Sequence, residues 1–568
     1  VTREELLRVL DFVDSLRGIA ETRTSLATTD ARWNIISYAM RRHLQGRLLT
    51  VTSVASAAGV PYGTAMRRIT ELTDEGYLLR RPRSKSGKSF SLHPTRRLIE
   101  EFESYALQTK ALVGKTFGFN TGEGELGDFY FGGGYMASRI LSYPAAMRAG
   151  IGFENKVRIL SPVDPTFKTL SDFSSNLNEL CGTEVEIVTM PLDALHDEIL
   201  DNHGRGARRY DLVAVDLPWI GQLASAGAIE PLDDLLVRHR YNASDFHSAA
   251  WKGSAFDGRH YGLPIQPTPE LLFCRQDLFD EVGLSLPTSA EEVLFAARAL
   301  HRSAMNLSGI VMNFGRGLPV AHSFVQTLAD FGQPVIDLAP VVGGDYDVTA
   351  IRGTNCRPMI DTEAGHEAAD FLLSLLPYAH RDSLKCNWDR RIALYARGHA
   401  AMTYGWTIRA GMFEADAASP AQGRTAYLAH PPGNGARSVS PIGGFSLAIP
   451  TGLDAACLQR AWKMLEYLTR PEMLKWYVLN GNPTSPRFST SADPEVQAAS
   501  PVIKQVDAME RRGELQIWPR PPVPEFHELL CIVAEEIHPM LCGEVPVAQA
   551  LRNAQNRGDA LMRANGRY

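Results

Sequence analysis

Between Arg67 and Arg97 the sequence places nine lysines or arginines against three acids. Cations packed this densely behind a helical pattern suit contact with phosphate. Tyr62, Thr64, Arg67 and Arg68 fall where the exposed side of one helix would carry them to base edges or phosphates. Arg83, Lys85 and Lys88 follow in a loop that would reach a nucleic-acid backbone or the adjacent minor groove. A charge run alone is usually a solvated face, so the weight rests on the helix pattern before it. Catalysis has no comparable pattern: HExxH and GxSxG are both absent. His527, Cys531, His538 and Cys542 could be imagined around zinc. They read better as one amphipathic helix with Leu530, Val533 and Ile537 inward and Pro539 near its end. No catalytic residue, metal or cofactor is expected.

The elements that must position these cations are legible. Val51, Val54 and Ala55 have the spacing of a short amphipathic helix, Gly59 supplies a turn, and Pro61 suits the start of a second helix. In that helix Ala65, Ile69 and Leu72 face inward, and Gly76 ends it. Tyr77–Leu79 opens a strand, Arg80–Lys88 forms a basic loop, and Ser89–Leu92 alternates as the returning strand. Helices are expected over Glu4–Gly18, over Ala31–Gly46 with Asp30 as cap, and over Thr95–Leu112 with Leu98, Phe102, Tyr105 and Leu112 on one side. That stripe suits a dimer interface and ordinary packing equally. The order helix, helix, basic wing, helix, carried by VASAAGVPYGTAMRRITELTDEGYLLRRP and LHPTRRLIEEF, resembles the MarR-type winged-helix regulators over about the first fifth of the chain. The resemblance implies a homodimer reading a pseudo-palindromic double-stranded DNA operator.

At 568 residues the chain exceeds one core. We read residues 1–117 as a winged helix-turn-helix domain with flanking dimerisation helices, 118–154 as a connector, and 155–568 as a ligand-sensing body. The head is basic and the body acidic, as a nucleic-acid module joined to a small-molecule module would be. Seven scattered cysteines without a CxxC pair indicate neither a disulfide framework nor a zinc ribbon, and fit a reducing compartment. The first residues lack the apolar core of a signal peptide, and no run of 18 apolar residues occurs, so a cytoplasmic protein without membrane contact is expected. Two glycine motifs are decoys. Gly122–Gly127 matches GxGxxG without a preceding strand, and Gly114-Lys115-Thr116 lacks the first glycine of a P-loop.

The body alternates strands and helices in an α/β manner: Val157–Leu160, a helix around Phe167–Leu180, Val185–Met190, a helix over Leu192–Leu200, and the buried strand Tyr210–Asp216. Sites in such sheets lie at the carboxyl ends of strands, which puts Ser161, Asp164, Asp216 and Trp219 on one rim. Five blocks then occur in order. They are YDLVAVDLPWIGQLASAGAIEPLDDLL, FDGRHYGLPIQPTPELLFCRQDLFDEVGLSLPTSAEEV, RIALYARGHAAMTYGWTIRAGMF, SPIGGFSLAIP and AWKMLEYLTRPEMLKWYVLNGNPTSPRFS. Together they resemble the solute-binding proteins of ABC sugar importers. The resemblance implies a two-lobed, periplasmic-binding-protein-like α/β fold with crossing strands near Leu263–Leu272, His399–Tyr404 and Phe445–Pro450, and a sugar or similar polar solute in the cleft.

A sugar needs flat aromatic faces for its C–H side and planar polar groups for its hydroxyls. Candidates are Trp219 with Asp216, Glu270, Trp406, Phe445 after Gly443-Gly444, and Asn482. Arg487 joins them because the resembling proteins often place an arginine in this block on ligand hydroxyls or carboxylates. Each has a plainer reading: Trp219, Trp406 and Phe445 as core, Glu270 as a solvated strand residue, and the glycines as permitting close backbone approach. The whole reads as a one-component transcriptional regulator whose body senses a sugar. The second reading is the solute-binding component of an ABC-type sugar transport system whose winged helix contacts protein rather than DNA.

Overall fold

The computed structural model describes residues 9–10, 13–14, 31–44, 49–82, 90–117, 155–204 and 208–568. The chain divides into two compact units, Val1–Ser142 and Tyr143–Tyr568. Asp30, Arg83, Lys85, Lys88, the GxGxxG run, the connector 118–154 and most of the helix expected over Glu4–Gly18 lie outside the described residues.

In the first unit, helix α1 (Ala31–Leu44) precedes α2 (Val51–Ala57). Thr50 opens α2 with a capping box: the Ser53 amide donates to Thr50 Oγ1 at 3.1 Å and the Thr50 amide to Ser53 Oγ at 3.2 Å. Gly59 takes φ +69°, a left-handed turn that a side chain would resist. After it, α3 (Tyr62–Asp74) buries Ala65, Ile69 and Leu72. Strands β1 (Leu78–Pro82) and β2 (Phe90–Pro94) pair antiparallel, Leu78 opposite Pro94, and α4 (Arg96–Phe117) follows. Leu98 and Phe102 join the core of this unit, while Tyr105 is exposed and packs edge-on to Trp33.

In the second unit the expected βαβ start is present. Strand β3 (Val157–Pro162) leads through α5 (Pro165–Asp172) and α6 (Ser174–Cys181) to β4 (Val185–Met190); α7 (Leu192–Gly204) then leads to β5 (Leu212–Asp216). The single helix expected over Phe167–Leu180 is thus two, broken at Phe173. Both β4 and β5 lie parallel to β3. The main sheet continues through β6 (Leu263–Arg275), β7 (Ser308–Val311), β8 (Ala400–Trp406) and β10 (Ser440–Ala448) in the order β4-β3-β5-β10-β6-β8-β7, with β9 (Thr425–Leu428) also on β6.

Strand β6 joins the two lobes. Its first half, Leu263–Pro269, pairs with β10, and its second half, Glu270–Cys274, pairs with β8. Three prolines (264, 267 and 269) lie in the first half, where each removes a ladder donor, and the partner strand carries a register shift at Phe445/Ser446. Of the other expected crossings, β8 pairs only with β6 and β7, and β10 starts at Ser440, earlier than expected. One hydrophobic cluster runs from Leu160 to Ala448 through β3 and β5; a larger one, including α8 (Leu318–Asp330), α10 (Phe526–Leu541) and α11 (Val547–Ala564), fills the second lobe. Helix α9 (Trp388–Ala396) packs beside β8, its Ile392 and Tyr395 in a separate cluster with Leu271 and Phe273. Among the described residues no helix is long and apolar enough to cross a membrane.

Candidate functional site: the cleft between the lobes

A cavity of about 380 Å³ lies between the lobes, within the size range of small-molecule sites. On the first-lobe side, Asp164 follows β3 and caps α5, its Oδ1 accepting from the Phe167 amide at 3.1 Å. Its Oδ2 has no hydrogen-bond partner among the described residues. Burial raises this carboxyl to about 7, against hydrogen bonds from Phe167, Gln266 and Thr166 that favour the charged form. Asp216 ends β5; the 3-10 turn Leu217–Trp219 then swings Trp219 onto the cavity wall. The Trp219 ring stands 4.9 Å from His196 of α7, whose Nε2 lies 2.8 Å from Gln222 Oε1.

The crossing strands supply the floor. Gln266 and Thr268 of β6 share a face by strand alternation and both line the cavity. Trp406, the last residue of β8, pairs with Glu270. Arg520 lies with its guanidinium 5.0 Å from the Trp406 ring centroid and donates from Nη2 to Asp216 Oδ2 at 3.2 Å. Burial pushes the Asp216 carboxyl up, and Arg520 opposes that shift. Gly444 has φ +96°, and a Cβ there would stand 1.8 Å from the Gln266 carbonyl oxygen, so only glycine lets β10 approach β6 here.

The second lobe closes the other side with His322 of α8, Trp388, and Phe526, His527 and Leu530 of α10. Burial, reinforced by Arg520 and His527, pushes His322 well below the usual imidazole value and keeps it neutral. The His527 ring stacks on His196 with centroids 5.9 Å apart and planes 15° apart, joining one lobe to the other at the rim.

Of the residues singled out from sequence, Asp164, Asp216, Trp219, Trp406, Gly444 and Phe445 line this cavity. Gly443 lies directly behind Trp406 and Arg520. Ser161 is wholly buried behind the rim. Glu270 is not a solvated strand residue: its carboxylate accepts from Arg391 Nη2 at 2.6 Å, with both side chains 1% exposed. Asn482 is buried, its Oδ1 accepting from the Thr484 amide at 3.4 Å. Arg487 is away from the cavity. Its guanidinium sits 3.8 Å from the Phe246 ring centroid and donates to Tyr241 Oη at 2.6 Å and to the Thr469 carbonyl at 3.0 Å. It ties Tyr241, Asp245 and Thr469 together and does not line the cavity. Arg520, His322, Trp388, Gln266 and Thr268 were not singled out. For Gln266 and Thr268 a signal existed, since they alternate with Glu270 inside the expected crossing strand.

The four residues set aside as zinc ligands lie on or at the end of α10 as two pairs, each one helical turn apart, His527 with Cys531 at 3.8 Å and His538 with Cys542 at 3.7 Å. Among the described residues no group of three or more His, Cys, Asp or Glu is placed to hold a metal.

Residues 173–502 match the family described as "Bacterial extracellular solute-binding protein". An ABC transporter solute-binding protein from Agrobacterium radiobacter K84 in complex with ribitol superposes with TM-score 0.64 at 22% identity, covering 72% of this chain and 99% of that one. Maltose-bound MalE3 from T. maritima gives 0.61 at 19% identity, covering 72% and 99%. A solute-binding protein from Agrobacterium vitis S4 with D-mannitol gives 0.60 at 20% identity, again covering 72% and 99%. These likenesses establish the two-lobed fold.

They also correct the expectation of a ligand-responsive transcriptional regulator: the match is to transport receptors, which favours the second reading. The cationic tract on which the first reading leaned is partly self-neutralised. Arg68 Nη1 meets Glu71 at 2.7 Å and Arg67 Nε lies 3.7 Å from the same carboxylate. Arg96 and Arg97 pair with Glu100 and Glu101, acids that lie beyond the end of the tract. Tyr62 and Thr64 are exposed on α3, and the wing cations lie outside the described residues.

Proposed function

The chain belongs to the bacterial extracellular solute-binding proteins, and we propose that it is the solute-binding component of an ABC-type transport system for a sugar or polyol. The observation that carries this reading is the cavity lining. Trp219 and Trp406 offer flat apolar faces, and Asp216 and Arg520 set an acceptor beside donors, the complement of a polyhydroxylated chain or ring. Ribitol, D-mannitol and maltose in the cited relatives mark the size and chemistry to try first. With β6 as the shared strand, the lobes close on the solute by hinge motion.

Thermal unfolding of the protein against a panel of polyols, mono- and disaccharides tests the proposal. A matching solute at ~100 times its dissociation constant should stabilise the fold by about 2.7 kcal/mol. A panel in which nothing raises the melting temperature would remove the reading.

The N-terminal unit fits a winged helix of the MarR type turned toward a protein partner. In support, Tyr62 is 61% exposed and Leu79 is 47% exposed, beside arginines already paired within their own helices. Substituting Tyr62 by Ala should leave solute affinity unchanged. A transport receptor captures its solute on the outer side of the cytoplasmic membrane; cell fractionation decides between that side and the cytoplasmic location suggested by the sequence.

A further inference from the structure

Two arginines occur among the described residues lining the cleft, and each is held by a carboxylate. Arg409 Nε donates to Asp389 Oδ1 at 2.9 Å, and Arg520 Nη2 donates to Asp216 Oδ2 at 3.2 Å. The carboxylates lining the cleft are Asp164, Asp197 and Asp216. Asp164 lies against backbone amides, with no ion-pair partner among the described residues, and burial holds its proton to about pH 7, so the charged groups at the Trp406 floor are the Asp216–Arg520 pair. His322, buried beside Arg520, is held neutral and adds no cation.

A solute carboxylate or phosphate arriving at the Trp406 floor would meet a guanidinium whose charge is already balanced. Arg520 keeps donors beyond its single Nη2 bond to Asp216, its Nε having no partner among the described residues, but an anion that reached them would set a second negative charge beside the buried Asp216 carboxylate. A hydroxyl avoids this, since it can donate to Asp216 while accepting from Arg520. Resting on the solute-binding reading above, we propose that the Asp216–Arg520 pair sets the charge selectivity of the cleft, admitting polyols and sugars and turning away their acids. The solute is therefore uncharged at the end seated on Trp406. Rejection here works through an unfavourable arrangement for the competitor, not only through better contacts for the favoured solute.

The test is calorimetric titration of the full chain with matched pairs that differ only in one terminal CH2OH or carboxylate: ribitol and ribonate, D-mannitol and D-mannonate. Maltose and maltobionate make a third pair, closed reducing end against open-chain acid. For whichever pair binds, the neutral member should bind at least about tenfold more tightly to the unaltered protein. Asp216→Asn frees Arg520 and should shrink that ratio by about tenfold or reverse it. Arg520→Gln leaves Asp216 unbalanced and should widen it by a comparable factor, which keeps the test open should the first variant not fold. Equal affinity for acid and polyol in the unaltered protein overturns the proposal, as does a ratio that neither folded variant moves. Failure of all six compounds to bind the unaltered protein would instead remove the transport reading, and this inference with it.

Discussion

A methyl group on Gly443 would stand 2.9 Å from the Trp406 ring and 2.5 Å from Arg520 Nη1. The residue behind the cleft floor is thus small because the floor leaves no room for a larger one. Gly443 does not need the left-handed backbone region, unlike Gly444, so a substitution here reports contact alone. Gly443→Ala should cost about 1–3 kcal/mol of stability, the usual cost of overpacking, and weaken solute binding by displacing Trp406 and Arg520. Parallel calorimetry and thermal unfolding separate the two effects; unchanged affinity would detach Trp406 and Arg520 from the solute.

Glu270 and Arg391 form an ion pair 2.6 Å apart that solvent does not reach. Burial lowers the arginine's affinity for its proton, and Glu270 restores part of it. Removing one partner leaves a buried charge alone, so Arg391→Met should cost about 3–5 kcal/mol in denaturant unfolding. The double change Glu270→Leu with Arg391→Met should recover much of that loss, because two apolar groups need no partner. A double variant no better than the single one would show that the pair does more than balance charge.

Asp164 gives a pH dependence whose sign follows from burial. Its carboxyl titrates near 7 in the folded protein against an ordinary 3.8. Between those values the folded state holds a proton that the unfolded chain has released, so stability falls as pH rises through the window. The loss is complete above about pH 7. Asp164→Asn keeps a good helix cap and removes the titration. It should be more stable than the unaltered protein at pH 8, by about 1 kcal/mol or more, and melt with it near pH 4. Parallel melting curves across that range would contradict a buried, proton-holding carboxyl.

The parts of the fold that were legible are those written in short spacings. Helices α2 and α3 and strands β3 and β5 follow from apolar periodicity and from Gly59, Pro61 and Gly76. Trp219, Trp406 and Phe445 were legible as candidates because each follows a Pro or Gly, Trp219 and Trp406 at or just past strand ends and Phe445 within β10. Partnership over distance was not legible. Arg520 finds Asp216 across 304 residues of sequence, and nothing local to WPRPPVPEF announces it. Glu270 and Arg487 drew attention as polar residues in promising blocks, yet long side chains can turn inward to a buried partner as easily as outward to a ligand. Counting charges in the N-terminal unit met the same limit, since it could not show that Arg96 and Arg97 engage Glu100 and Glu101 beyond the tract.

Titration of one solute into two proteins tests most directly whether the cleft is the solute site. Ribitol, D-mannitol or maltose, whichever raises the melting temperature most, is titrated into the unaltered chain and into Trp406→Ala while tryptophan fluorescence is followed. The cleft carries Trp219, Trp388 and Trp406, so occupancy should register in the emission. One saturable site in the unaltered chain, weakened about tenfold or more in Trp406→Ala, is the predicted result. Saturable binding that Trp406→Ala leaves untouched would place the solute elsewhere and contradict the account.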